Sequence, residues 1–182
     1  MTSHGIRHSV VNVAIDDGEL CSHGREPRSW VMSLAYLKAA AGRRDALFVH
    51  EESAVLLGAD TICVQGGRII GQPRDEDHAR SMILELANGV HDVLTGVALI
   101  EPMTGRRDLF FSAASVRVGH LSPVEVDSYV ASGLWQGKAG GYNLGERLDA
   151  GWPIEFEGDP TGVMGLPMTL LVPRLSRFAA TV

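Results

Sequence analysis

The sequence predicts a single α/β domain, a mixed β-sheet flanked by helices. Three observations point there. The chain has 182 residues, the length of about one domain. Apolar, β-branched runs alternate with segments whose apolar residues recur at helical spacing, so strands and helices interleave. Two strand patterns, His91–Ile100 and Leu109–His120, are long and joined by the turn-like Met103-Thr104-Gly105. They predict an antiparallel pair inside the sheet.

The elements follow in order. His8–Ile15 (HSVVNVAI) is β-branched and reads as a strand, and Asp16–Glu26 reads as a polar loop. Pro27 suits the first turn of a helix, and Trp30, Val31, Leu34, Leu37 and Lys38 follow at helical spacing up to Gly42. Ala54–Gln65 is an apolar strand, read as interrupted at Gly58-Ala59-Asp60-Thr61. Gly66-Gly67 turns it into Arg68–Gly71, and Pro73 stops that strand. Asp75–Asn88 is a helix with Ala79, Met82, Ile83, Leu86 and Ala87 on one face and Gly89 beyond its end. Ser122 and Glu125 have the spacing of a capping box that opens a helix to about Ala131. Gly133–Gly151 contains six glycines and reads as an irregular loop. Pro153–Phe156 is a short strand, and Val163–Leu175 a closing helix limited by Pro167 and Pro173.

Composition narrows the function classes. Hydrophobic residues are 45% and charged residues 21%, as in an ordinary globular chain, which excludes global disorder. Lys plus Arg is 16 against 22 Asp plus Glu, a formal charge of −6. Such a chain gains no counterion-release affinity for duplex nucleic acid, so that partner is not expected. No apolar run approaches the ~18 residues of a membrane span, and Met1–Asn12 has no apolar core of a signal peptide. A cytoplasmic protein with no membrane partner is expected. Cys21 and Cys63 cannot build a four-thiolate zinc site and read as buried free thiols.

Several positions can carry chemistry. A carboxylate at Asp60, between Leu56-Leu57 and Ile62, is costly to bury unless a metal, a lysine or a water to be activated meets it. The bland alternative is an exposed Asp at a strand kink. In Gly137-Lys138-Ala139-Gly140-Gly141-Tyr142, a lysine can meet phosphate oxygens while small residues let backbone N–H groups approach. The spacing is not that of a GxxxxGK[ST] loop, and a plain solvated loop competes with this reading. Lys38 on the apolar side of its helix reads as a snorkelling lysine when taken alone. The acidic cluster Asp16, Asp17 and Glu19 by itself is a solvated loop. His91 reads as a hydrogen-bonded structural histidine, and Gly165-Leu166-Pro167 as a rigid helix entry without chemistry of its own.

Taken together, these segments resemble the Maf family of nucleoside triphosphate pyrophosphatases. The resemblance lies in the ordered set LAYLKA (Leu34–Ala39), LLGADT (Leu56–Thr61), IIGQP (Ile69–Pro73), HDVLTGVAL (His91–Leu99), GKAGGY (Gly137–Tyr142) and VMGLPM (Val163–Met168). It implies an elongated α/β fold related to inosine triphosphatases, with a cleft beside a central mixed β-sheet flanked by helices. It also implies hydrolysis of a nucleoside triphosphate between its α and β phosphates, releasing pyrophosphate, as house-cleaning of non-standard nucleotides. Some family members are linked to arrest of septum formation. By position, Asp60 matches the family's catalytic aspartate, the proton acceptor for the attacking water. Lys38 and Lys138 match the two lysines facing the phosphates. Thr61, Gln72, Gly140 and Tyr142 fall on substrate-binding positions, Thr61 as in subfamilies acting on pyrimidine triphosphates. A divalent cation, Mg²⁺ or else Mn²⁺, is expected on Asp60 and Glu19, with Asp17 the competing choice. Whether Asp60 serves as metal ligand or as base is open at this level.

Three departures modify these expectations. The family opens with a strand and an S-x-S-P-R-R loop that holds the triphosphate, and this sequence shows no such motif. The first strand and helix are therefore expected to be missing, with the native product beginning upstream. A sheet edge left bare in that way would call for cover by another segment or by a homodimer. Gln72 stands where the family's G-K-P has lysine, and Gly145 where pyrimidine-type members have a base-reading glutamine. The alternative these departures imply is a catalytically impaired Maf-like protein that binds a nucleotide or a cell-division partner.

Overall fold

The computed structural model describes residues 1, 5–13, 20, 22–43 and 54–179. Its first element is helix α1 (Pro27–Gly42), which has proline in its first turn. Glu26 caps it, its carboxylate accepting from the N–H groups of Arg28 at 3.1 Å and Ser29 at 2.7 Å. Strands β1 (Leu56–Gln65) and β2 (Arg68–Ile70) form the expected hairpin. Helix α2 (Glu76–Leu86) starts behind the N-cap Asp75, whose side chain accepts from His78 N–H at 2.7 Å. The long antiparallel pair is β3 (Gly89–Ile100) and β4 (Arg107–Val118), twelve residues each. Helix α3 (Pro123–Ala131) opens with the capping box of Ser122 and Glu125. A 3₁₀ turn at Ala139–Gly141, helix α4 (Leu144–Asp149), strand β5 (Ile154–Glu157) and helices α5 (Pro160–Val163) and α6 (Met168–Ala179) complete the order.

The strands form one five-stranded sheet in the order β2-β1-β3-β4-β5. The α/β class stands. Where a mixed sheet was expected, every pairing between these strands is antiparallel, and the parallel component is one isolated bridge, Ala87 to Val118. Helix α1 covers one face. Its Val31, Ala35 and Ala39 pack on Ile62, Leu94, Ala98 and Ile100. The opposite face carries the larger core. There Ile83 and Leu86 of α2 and Val126 and Tyr129 of α3 meet Val93, Val116 and Val118, while Met168, Leu171 and Phe178 of α6 meet Val97, Leu99 and Phe110.

Four sequence expectations are corrected. His8–Val13 forms no strand: Val10 is 82% exposed, and β-branched propensity without a partner strand does not order a segment. Ala14 and Ile15 lie outside the described residues. Gly58–Thr61 does not interrupt β1. Gly58 is there because α1 lies almost on the sheet; a Cβ at 58 would stand 2.3 Å from the Ala35 carbonyl oxygen, and one at Gly96 2.5 Å from that of Val31. Gly133–Gly151 is not wholly irregular, since Asn143 caps α4 by accepting from Glu146 N–H at 3.1 Å. The closing helix begins only at Met168, after the separate turn α5, and continues past Pro173. No helix among the described residues is long and apolar enough to cross a membrane.

Candidate functional site

The site follows from how β1 is paired. Its register with β3 runs from Leu56–Ile100 to Val64–Asp92, but β2 pairs only with Cys63–Gln65. Upstream of Cys63, β1 is thus the edge of the sheet among the described strands. Successive side chains point to opposite faces. Asp60 therefore lies on the side of α1 and Thr61 on the other, yet at an edge both border the same space. That space is a cleft of about 320 Å³ lined by Lys38, Asp60, Thr61, Gln72, Lys138 and Tyr142, together with Asn143, Met164 and Gly165.

On the α1 side, the close approach at Gly58 sets Lys38 over Asp60. The Lys38 ammonium donates to the Asp60 carboxylate as an ion pair. The Asp60 side chain is only 11% exposed, so this carboxylate is not the solvated kink residue of the bland alternative.

The opposite wall is the glycine-rich loop. Gly140 adopts φ +69°, and a Cβ there would stand 2.8 Å from Cys63 Sγ, so only glycine lets the loop sit down on β1. Gly140 N–H donates to the Gly71 carbonyl at 3.0 Å, and Tyr129 Oη donates to the Gly141 carbonyl at 2.8 Å. Tyr142 Oη shares a 2.7 Å hydrogen bond with His91 Nε2 beneath the sheet. Burial depresses His91 to about 4, with neighbouring Asp92 opposing, so the ring is neutral near pH 7. Burial likewise pushes the Cys63 thiol up to about 12, which removes it as a nucleophile. Thus held, the loop presents Lys138, whose Nζ donates to Glu146 Oε2 at 2.5 Å.

Beneath Thr61 runs a hydroxyl chain. Thr61 Oγ1 and Thr95 Oγ1 are 2.8 Å apart, and Thr95 Oγ1 donates to the Gly162 carbonyl at 2.7 Å. Gly162 permits this contact, because a Cβ at that position would stand 2.9 Å from Ser112 Oγ.

Asp60, Lys38, Lys138, Thr61, Gln72 and Tyr142 are therefore gathered around one cleft. Gly140 lies buried under the loop with its N–H already donated, and the Tyr142 hydroxyl is turned to His91 rather than left free. Glu19, Asp17 and Asp16 lie outside the described residues. Among the described residues no group of three or more His, Cys, Asp or Glu could hold a metal on its own. His91 is the structural histidine the sequence predicts. Gly165, read as having no chemistry, reaches the cleft wall. Glu146 and Thr95 escaped sequence reasoning. Thr95 lies inside the HDVLTGVAL segment, and a hydroxyl in that apolar run was the available signal. Nothing in the sequence joins Glu146 to Lys138.

A Maf-like protein family model matches residues 1–178. Among curated relatives, a dTTP/UTP pyrophosphatase of Desulfitobacterium hafniense (strain Y51) is 36% identical over 169 residues, 92% of this chain and 75% of the relative. A dTTP/UTP pyrophosphatase of Alkalilimnicola ehrlichii is 33% identical over 90% of this chain and 79% of its own length. Another, of Pelotomaculum thermopropionicum, is 33% identical over 98% of this chain and 89% of its own length. The sheet edge and its two lysine-bearing walls are thus built from segments matched along nearly the whole sequence, and the chain belongs to the Maf-like protein family.

Proposed function

We propose that this chain hydrolyses a nucleoside triphosphate to the nucleoside monophosphate and pyrophosphate, and that dTTP and UTP, the substrates named for its relatives, are its substrates. The observation that carries the proposal is the convergence of one carboxylate and two ammonium groups on a single cleft. Phosphoanhydride hydrolysis asks for these groups: fixed positive charge for the non-bridging oxygens and an oriented acceptor for the attacking water. Lys38 and Lys138 bind the polyphosphate from opposite walls. Asp60, held in place by Lys38, orients a water towards the α-phosphorus and takes its proton. As the water oxygen bonds to phosphorus, the bond to the bridging oxygen breaks and pyrophosphate leaves.

Asp60 also fits a hard divalent cation. Mg²⁺ is commonly held by one or two carboxylates together with substrate phosphates, so one carboxylate on the cleft wall is an adequate protein share. Glu19, or Asp17 in its place, is the second donor proposed. When bound, Mg²⁺ or Mn²⁺ would neutralise charge on the phosphate oxygens. The proposed setting is cytoplasmic, with a homodimer as the arrangement to test for the part of β1 that has no partner among the described strands.

The decisive measurement is pyrophosphate release across a panel of nucleoside triphosphates with and without Mg²⁺. Release from dTTP and UTP is expected, lowered by on the order of 10²–10⁴ in Asp60→Asn, the usual contribution of a general base. Full activity in that variant overturns the assignment. Gln72, an uncharged residue on the cleft wall, favours a second reading: a nucleotide-binding protein without turnover. Calorimetric binding with no pyrophosphate release would select it.

A further inference from the structure

Asn143 lines the cleft and caps helix α4 with one half of its side chain. A carboxamide carries an acceptor oxygen and a donor nitrogen with two hydrogens, on separate branches. Its partner tells the two apart: only the oxygen can accept the Glu146 N–H, which it does at 3.1 Å. That oxygen lies over the first turn of α4, 3.5 Å from where a Cβ of Gly145 would stand. The amino group is therefore turned away from the helix, and it has no hydrogen-bond partner among the described residues. The capping bond holds the amide in one orientation before any ligand arrives, so the donor is preorganised. Glu146 also ties this donor to Lys138. Its backbone N–H goes to the Asn143 oxygen, and its carboxylate takes the Lys138 ammonium. A neutral donor and a cation thus stand on either side of one residue, both lining the cleft.

We infer that Asn143 is a binding residue for the polyphosphate chain, its amino group donating to a phosphate oxygen beside the one taken by Lys138. The carboxylate already on Lys138 shows that an anionic oxygen fits against this wall. Ionised phosphate oxygens are acceptors only, and a polyphosphate carries them on successive phosphorus atoms. Neighbouring oxygens can therefore meet the ammonium and the amide together. A charged acceptor also strengthens a hydrogen bond from a neutral donor. The inference rests on the reading of the cleft as a nucleoside triphosphate site and adds a neutral, preset phosphate contact to its two lysines. Such a contact grips the phosphates without reading the base.

The test is calorimetric affinity for two probes: inorganic tripolyphosphate, which has no nucleoside, and the α,β-methylene analogue of UTP, which binds without turnover. Asn143→Ser keeps a capping oxygen and removes the amino group without adding charge. Asn143→Asp keeps the cap and the shape but sets an acceptor where the donor stood. Asn143→Ser should weaken both probes by the same factor, on the order of tenfold, the usual cost of a lost hydrogen bond to a charged group. Asn143→Asp should weaken both further, and its excess over Asn143→Ser should shrink at high salt. Melting temperatures should stay at the wild-type value, because Asn, Ser and Asp are comparable caps. If Asn143 serves the helix alone, neither affinity changes in Asn143→Ser, which overturns the inference while leaving the nucleotide site standing. Should Asn143→Ser melt early, Asn143→Asp decides, and unchanged affinity at high salt overturns the inference in the same way. A loss confined to the UTP analogue, or tripolyphosphate that does not bind the wild type while the analogue does, places the acceptor on the nucleoside and also overturns it. No binding of either probe to the wild type overturns both readings.

Discussion

Two lysines face the same cleft from opposite sides of the sheet, and they are held in different ways. Lys38 stands on a sixteen-residue helix locked to the sheet by Gly58 and Gly96, and its partner is the carboxylate assigned to the chemistry. Lys138 stands on a glycine-rich loop seated by hydrogen bonds to Gly71, Tyr129 and His91, and its partner Glu146 is an exposed side chain on a short helix. The first is a fixed charge bound into the pair proposed to carry the chemistry. The second is a charge on a separable mount, balanced by a carboxylate with no assigned chemical task.

The largest expected effect follows from that contrast. Lys38→Met should lower kcat for pyrophosphate release by on the order of 10²–10³, because it removes both a preorganised charge and the group that orients Asp60. Lys138→Met should cost roughly tenfold, mostly in KM, as the loss of a binding contact does. Steady-state kinetics on dTTP or UTP read the split. Equal losses in kcat for the two variants would erase the distinction between the walls.

The second effect concerns stability, and acid should find the loop wall first. Burial depresses the folded value of His91 to about 4 from the ordinary 6.5. Below pH 6.5 the unfolded chain takes up the proton and the folded chain does not, so this contribution to stability falls as pH falls and levels off near pH 4. The depression corresponds to about 3 kcal/mol. Urea midpoints at pH 7, 5.5 and 4 should drop more steeply for the wild type than for His91→Gln, which has no such proton to gain. Parallel curves would show that the imidazole under Tyr142 does not control the acid sensitivity of this wall.

Much of this contrast was legible in the sequence, though unevenly. Pro27, the helical spacing through Lys38 and the GADT segment gave the α1 wall. They failed only in taking Gly58 for a break, because close helix–sheet approach is a tertiary demand that a lone glycine does not announce. The loop residues were legible as small residues around a lysine, but their seating was not: it depends on Cys63, Gly71, Tyr129 and His91, which are distant in the chain. The β-branched run His8–Val13 misled because strand propensity has no force without a neighbouring strand. Glu146 and Thr95 act through partners 8 and 34 residues away, and periodicity carries no information about such pairs.

Glu146 offers the smallest and sharpest probe of the second wall. Its carboxylate occupies the Lys138 ammonium at 2.5 Å, so under the proposed role of Lys138 it competes with a phosphate oxygen for that ammonium and adds negative charge beside a polyanion. The side chain is 45% exposed, so solvent screens the interaction strongly. Removing the charge in Glu146→Gln should therefore lower KM for the nucleoside triphosphate only by roughly threefold, with kcat little changed, as expected for an exposed pair. The gain should shrink at high salt, where an exposed interaction is screened within a few ångströms. If Glu146 instead holds Lys138 in its working pose, the same substitution raises KM, and salt changes the result little. The sign of that single change separates a carboxylate that competes with substrate from one that steadies the loop. No equivalent experiment exists on the other wall, because there the lysine's partner is Asp60 itself.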